Sequence, residues 1–249
     1  MTDIFEEVEE QLRSERIKTI FLKGWPWLLG VGLACLLAAL AYWGYHAYRT
    51  GEASKASEAY ASGLEALRKN DNAAAYRQFE AAAKSSSRGY RALALMQQGA
   101  IRLDENRAND AVKLFDEAAK VAPDAILGDM ARLKSAFALM DTAPFGPIEQ
   151  RLKPLTDAKR PYRVAAREAL AMAEIKAGRL KEARDDFGVL RVMPDAPDAT
   201  RQRAEMAIAA IDSGAAAQVP TAVKAALALP PPATLPVQPT QQPQAGAGQ

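Results

Sequence analysis

The side chains best suited to chemistry are scarce in this 249-residue chain, which has one cysteine, Cys35, and one histidine, His46. A thiolate–imidazole pair, a disulfide and a zinc site built from thiolates and imidazoles each need more than that. Both residues fall inside 24–48, a stretch of 25 residues without Asp, Glu, Lys or Arg, so the chain beyond residue 48 has neither. Carboxylates remain, but they are scattered at helical spacing rather than clustered, apart from the adjacent pairs Asp104 with Glu105 and Asp185 with Asp186. They are expected on solvated helix faces, where charged residues mostly lie. No GxGxxG or Walker pattern occurs. Residues 49–213 hold 27 Lys and Arg against 24 Asp and Glu, an excess of three with no basic stripe interleaved with aromatics. Nucleic-acid binding therefore has no electrostatic footprint. The composition predicts a non-enzymatic protein with no cofactor, metal or small-molecule substrate.

The elements that would position any function begin with 24–48 itself. As a helix it is about 37 Å long, enough to cross a hydrocarbon core of about 30 Å with some tilt. Trp25 and Trp27 mark one end and Tyr42, Trp43, Tyr45 and Tyr48 the other, the level where amphipathic rings prefer to lie. Its six Leu residues contribute about −3 kcal/mol to insertion. Ala39-Leu40-Ala41 has the form a signal peptidase accepts, which would make the stretch a cleaved leader. The acids Asp3, Glu6, Glu7, Glu9 and Glu10 before it and the second aromatic belt favour an anchor instead. Arg13, Arg16, Lys18 and Lys23 precede the span, against Arg49 and Lys55 after it. That bias predicts a single-pass protein with a cytoplasmic N-terminus and the rest of the chain outside, in the periplasm if the cell is Gram-negative.

Four zones follow. Residues 1–23 form an amphipathic cytoplasmic segment, with Phe5, Val8 and Leu12 and then Ile17, Ile20 and Phe21 at spacings of three and four. Residues 24–48 are the transmembrane helix. Residues 49–213 are rich in Ala, Leu, Glu, Arg and Lys with apolar positions at helical period, and breaks fall near residues 69–72, 85–89, 104–106, 123–124, 144–147, 159–161, 177–178 and 194–197. Residues 214–249, with consecutive Pro230, Pro231 and Pro232, are expected to be disordered or extended as polyproline.

Within the helical zone the pattern repeats every 36 residues. Gly63, Gly99, Ser135 and Ala171 are small; twelve residues on stand Ala75, Ala111, Pro147 and Ala183; four further on stand Phe79, Phe115, Arg151 and Phe187. A helix hairpin cannot bury its apolar stripe alone. Small residues at fixed points let two helices approach, and a Phe from the second helix fills the space beside them. The third repeat, with Pro147, Arg151 and Pro154 in place of the pattern, is expected to be distorted.

This pattern resembles the tetratricopeptide repeat, best at Leu95, Gly99, Ala111, Phe115, Ala118 and Pro123. Arg102 departs from it, standing where an aromatic is usual. Asn106 and Gly178 fall in inter-helix turns where a residue tolerating positive φ is useful. The fold class implied is all-α, a tetratricopeptide-repeat-like α-solenoid of about four hairpins after one transmembrane helix. In layout, and in Trp43 through Ala53, Ala56, Ser57 and Tyr60, the chain further resembles the ancillary SecYEG translocon subunit (YfgM-like) family.

That resemblance implies a membrane-anchored interaction module in the inner membrane, partnered with translocon subunits and a membrane-anchored periplasmic chaperone and assisting exported proteins. The Pro- and Gln-rich tail is not part of the family pattern. A scaffold for an envelope-assembly machine is the alternative. Placed on the repeat, Tyr60, Leu64, Leu67, Met96, Leu103 and Met172 are candidates for a partner-binding groove, flexible Met and Leu suiting varied apolar segments. Packing between helices is the other role those residues fit.

Overall fold

The computed structural model describes residues 3–228, with side chains described from Trp27 to Ala225 apart from Leu28 and Arg49. Every regular element in that range is helical. The chain divides into two compact units between Ala138 and Leu139.

The first unit opens with α1, Asp3–Arg68, a single helix of 66 residues. It carries the whole apolar stretch and continues unbroken into the first repeat. Along the stretch Leu33, Leu36, Leu37 and Leu40 are exposed, and Cys35 is a free, exposed thiol. Among the described residues α1 is the one helix long and apolar enough to cross a membrane. From Ala56 onward it acquires a buried face and packs on α2, Asn72–Ala83, which packs on α3, Arg88–Asp104, which packs on α4, Ala108–Val121. Helix α5, Ala125–Leu139, follows.

The turn after each first helix recurs with the period. Asn70 and Asn106, 36 residues apart, both adopt left-handed backbone, with φ of 58° and 61°. In each the chain closes the helix twice: the N–H of Asn106 bonds the Leu103 carbonyl and that of Arg107 the Arg102 carbonyl, both at 2.8 Å. Asn70 and Asp71 repeat this on Leu67 and Ala66, satisfying carbonyls that helix ends leave open. Asp71 then caps α2, its Oδ1 accepting the Ala74 N–H at 2.8 Å. Asn tolerates positive φ and a β-branched residue does not. Asn106→Val should therefore cost about 1–2 kcal/mol while Asn106→Gly stays near wild type, a difference readable in thermal denaturation.

The second unit contains α6, Phe145–Leu152, which passes into a 3-10 turn over Lys153–Thr156; then α7, Arg163–Lys176; α8, Leu180–Val192; and α9, Asp198–Asp212. Helix α6 has only eight residues, because Pro154 has no N–H to continue it. The distortion expected of the third repeat is present here. Ile148, Leu152 and Leu155 supply the buried residues, and the Arg151 guanidinium, standing at the Phe position, turns back to the Pro147 carbonyl at 3.0 Å. The α7–α8 turn again closes on a left-handed residue, Gly178 at φ 76°, with the Arg179 N–H on the Glu174 carbonyl at 2.8 Å.

One expectation is corrected. Over residues 214–228 the chain is not disordered: a 3-10 turn, Ala215–Gln218, leads into α10, Val219–Ala228. Ala216 is buried with Phe187 and Ile208, and Val219 packs against the same cluster. The physical reason lies in the register. Gly214, with φ 79°, stands 36 residues after Gly178, and Ala207 stands 36 after Ala171. The period continues through α9 to this turn, after which α10 folds back on α7. The amphipathic side-chain pattern of 1–23 lies outside the described side chains, and the disordered or polyproline character expected of 229–249 lies outside the described residues.

Candidate partner-binding surface

The repeated seat is a small residue facing an aromatic ring. A Cβ built on Gly63 would lie 2.6 Å from Cε1 of Phe79, and one on Gly99 would lie 2.6 Å from Cε1 of Phe115. Both rings are fully buried. Phe79 packs with Ala75, Ala82, Ala94 and Ile101, and Phe115 with Leu95, Met96, Ala111, Ala118 and Ala131. Each ring thus fills the seat in its own hairpin and touches the next helix, as the spacing predicted. In the second unit Ala171, Ala183, Phe187 and Leu190 form the equivalent cluster. At the third position Ser135 is fully buried, and its hydroxyl donates to Asp116 Oδ1 at 2.6 Å.

The six groove candidates separate on this framework. Met96 is 5% exposed and belongs to the second core. Tyr60, Leu64 and Leu67 are half-buried against the first core, and Leu103 against the second. The Tyr60 ring lies 5.4 Å from Phe79 and 6.1 Å from Tyr90, and its hydroxyl accepts from Gln97 Nε2 at 3.2 Å. All five touch neighbouring helices, and Met96 is the one that they bury fully. Met172 alone, 55% exposed, projects to solvent. For Met96 and Leu103 the cause is the position of α3, which touches α1, α2 and α4. A helix enclosed on three sides buries apolar residues round most of its circumference, so an apolar type no longer marks an outward face.

Exposed apolar side chains that the periodicity did not single out are Ile126 and Phe137 on α5, Val189 and Val192 on α8 and Met206 on α9. Ile126 and Phe137 are eleven residues apart and share one face of α5. Polar side chains join neighbouring helices around the cores. Arg88 donates to the Val121 and Ala122 carbonyls at 3.1 and 2.7 Å, closing the end of α4. Arg91 pairs with Glu117 at 3.0 Å. In the second unit Arg184 grips Asp212 through two bonds of 2.7 and 3.1 Å, which hold its carboxyl below the usual range. Arg102, at the departure from the aromatic pattern, lies 3.9 Å over the Tyr76 ring and pairs with Glu105 at 2.6 Å. The arginine therefore uses the aromatic of another position. Asp104, Glu105 and Asp185 are exposed as expected, whereas Asp186 is half-buried and paired with Arg167. Among the described residues no three His, Cys, Asp or Glu side chains are placed to hold a metal ion.

Antiparallel helices with a small-residue and Phe seat at period 36 and a left-handed turn after each first helix define a helical-repeat protein of the kind that binds other proteins. The chain belongs to the tetratricopeptide repeat-like domain family, whose profile matches residues 20–189 and so takes in the apolar stretch along with the four repeats. No curated protein and no solved structure matches it.

Proposed function

We propose that the chain is a single-pass inner-membrane protein, N-terminus cytoplasmic, that holds a repeat surface in the periplasm beside the Sec translocon. There it docks translocon subunits and a membrane-anchored chaperone and assists exported chains. The observation that carries this is the continuity of α1, which is at once the apolar stretch and the first repeat helix. Ala56, the first buried residue, follows Tyr48 by eight residues, about 12 Å of helix. An array joined that closely to its anchor would sit against the membrane face, where emerging segments are within reach. Exposed Met172 is the candidate on the repeats that remains open to a partner, its flexible thioether suiting varied apolar segments.

Photo-crosslinkers at Trp43 and at Met172 test the proposal in intact cells. The Trp43 probe is expected to capture translocon subunits, and the Met172 probe a membrane-anchored chaperone or exported chains in transit. Capture confined to outer-membrane or cell-wall assembly proteins would replace the proposal with an envelope scaffold.

A further inference from the structure

Glu174 on α7 is 6% exposed, and its Oε2 has no hydrogen-bond partner. It stands 72 residues, two periods, after Arg102. At that earlier position the charge has a ring beneath it and Glu105 three residues on. Three residues after Glu174 comes Ala177, so the local partner is missing.

The neighbours supply more repulsion than relief. From α6 comes Glu149, and from α8 come Glu182 and Asp186. The opposing charge is Arg179, which is already shared between Glu182 at 3.2 Å and Glu149 at 3.7 Å and lies 4.6 Å over the Phe145 ring. Arg167, on α7 itself, is committed to Asp186. Lys153 of the 3-10 turn is paired with Glu149 at 3.4 Å, and α10 brings only the exposed Lys224. An ionised carboxylate in this place is buried with only the shared Arg179 to offset it, and a neutral one is not penalised in that way.

We propose that Glu174 is a proton-operated latch on the α7–α8 hairpin: protonated, it lets α6, α7 and α8 close on one another, and ionised, it loosens them. Burial first and the Asp186 charge second push its carboxyl up to about 7, with Arg179 acting the other way. Because the closed form holds its proton more tightly than the opened form, closure is favoured at low pH. It weakens as pH rises from the ordinary value of 4.5 and is weakest above about 7. The latch would thus work across the range in which compartments differ.

Hydrogen exchange on the full chain in lipid nanodiscs at pH 5.5 and 8.5 tests this, with Glu174→Gln compared at each pH so that intrinsic exchange cancels. Opening of α7 and α8 in wild type, relative to Glu174→Gln, is expected to rise roughly 30-fold between the two pH values, with α3 and α4 unchanged. Glu174→Leu, apolar and of similar bulk, should give the same result and serves if the amide variant folds poorly. A wild-type to variant ratio that does not change with pH would overturn the latch, as would a change spread equally over α3 and α4.

Discussion

Replacing Phe115 with Ala should destabilise the first unit by about 3–5 kcal/mol, the usual cost of deleting a fully buried aromatic side chain. The ring is 1% exposed and is held by residues of α3, α4 and α5, so the surroundings have little freedom to collapse into the void. In a linear array the loss should also be local, felt by the hairpin and its neighbours rather than by the second unit. Gly99→Ala is the informative companion. A Cβ there would lie 2.6 Å from the ring, yet the fourth repeat places Ala171 in the same register beside Phe187. The alanine variant should carry a cost, since the buried ring must move to admit the methyl, but less than the Phe deletion, because the Ala171 and Phe187 pair holds a methyl at this seat and helix propensity returns up to about 1 kcal/mol. Denaturant titration of the two single variants and the double variant gives the coupling directly. A loss under 1 kcal/mol for Phe115→Ala would show that the seat is not the unit of stability.

The seat also shows what can be read from residues in order. Period 36, the eight breaks, the left-handed turns at Asn106 and Gly178 and the distortion at Pro147, Arg151 and Pro154 all follow from local spacing, which a helical repeat converts almost directly into contacts. Three things did not follow. The terminal helix α10 was hidden because the Pro, Ala and Gln content beyond Gly214 outweighed two register marks, Ala207 and Gly214 itself. The outward face was hidden because α3 is enclosed by neighbours, which makes Met96 indistinguishable by type from a groove residue. Glu174 was hidden because a charged residue on a helix is ordinarily solvated; only the absence of a partner at Ala177, compared with Glu105 two periods earlier, separates it from the rest.

The proposed membrane attachment yields the other large effect. Leu33 and Leu37 lie one turn apart on α1, are exposed, and flank Leu36, the midpoint of 24–48. On the insertion scale Leu contributes about −0.3 to −0.6 kcal/mol near a helix centre and Asp costs about +2.5 to +3.5. Each Leu→Asp exchange therefore opposes insertion by about 3–4 kcal/mol, and the pair by about 6–8. That exceeds the roughly −3 kcal/mol supplied by all six Leu residues, two of which are removed in the variant. Leu33→Asp with Leu37→Asp should move the protein from the carbonate-resistant membrane fraction into the soluble one. Leu33→Ala with Leu37→Ala should leave it in the membrane. Because Leu33 and Leu37 lie outside the cores around Phe79, Phe115 and Phe187, the released variant should keep its helical circular dichroism. Loss of membrane retention with the fold intact would separate anchoring from stability. Retention of the double-Asp variant in carbonate-washed membranes would mean that α1 does not cross the bilayer, and the translocon proposal would lose its support.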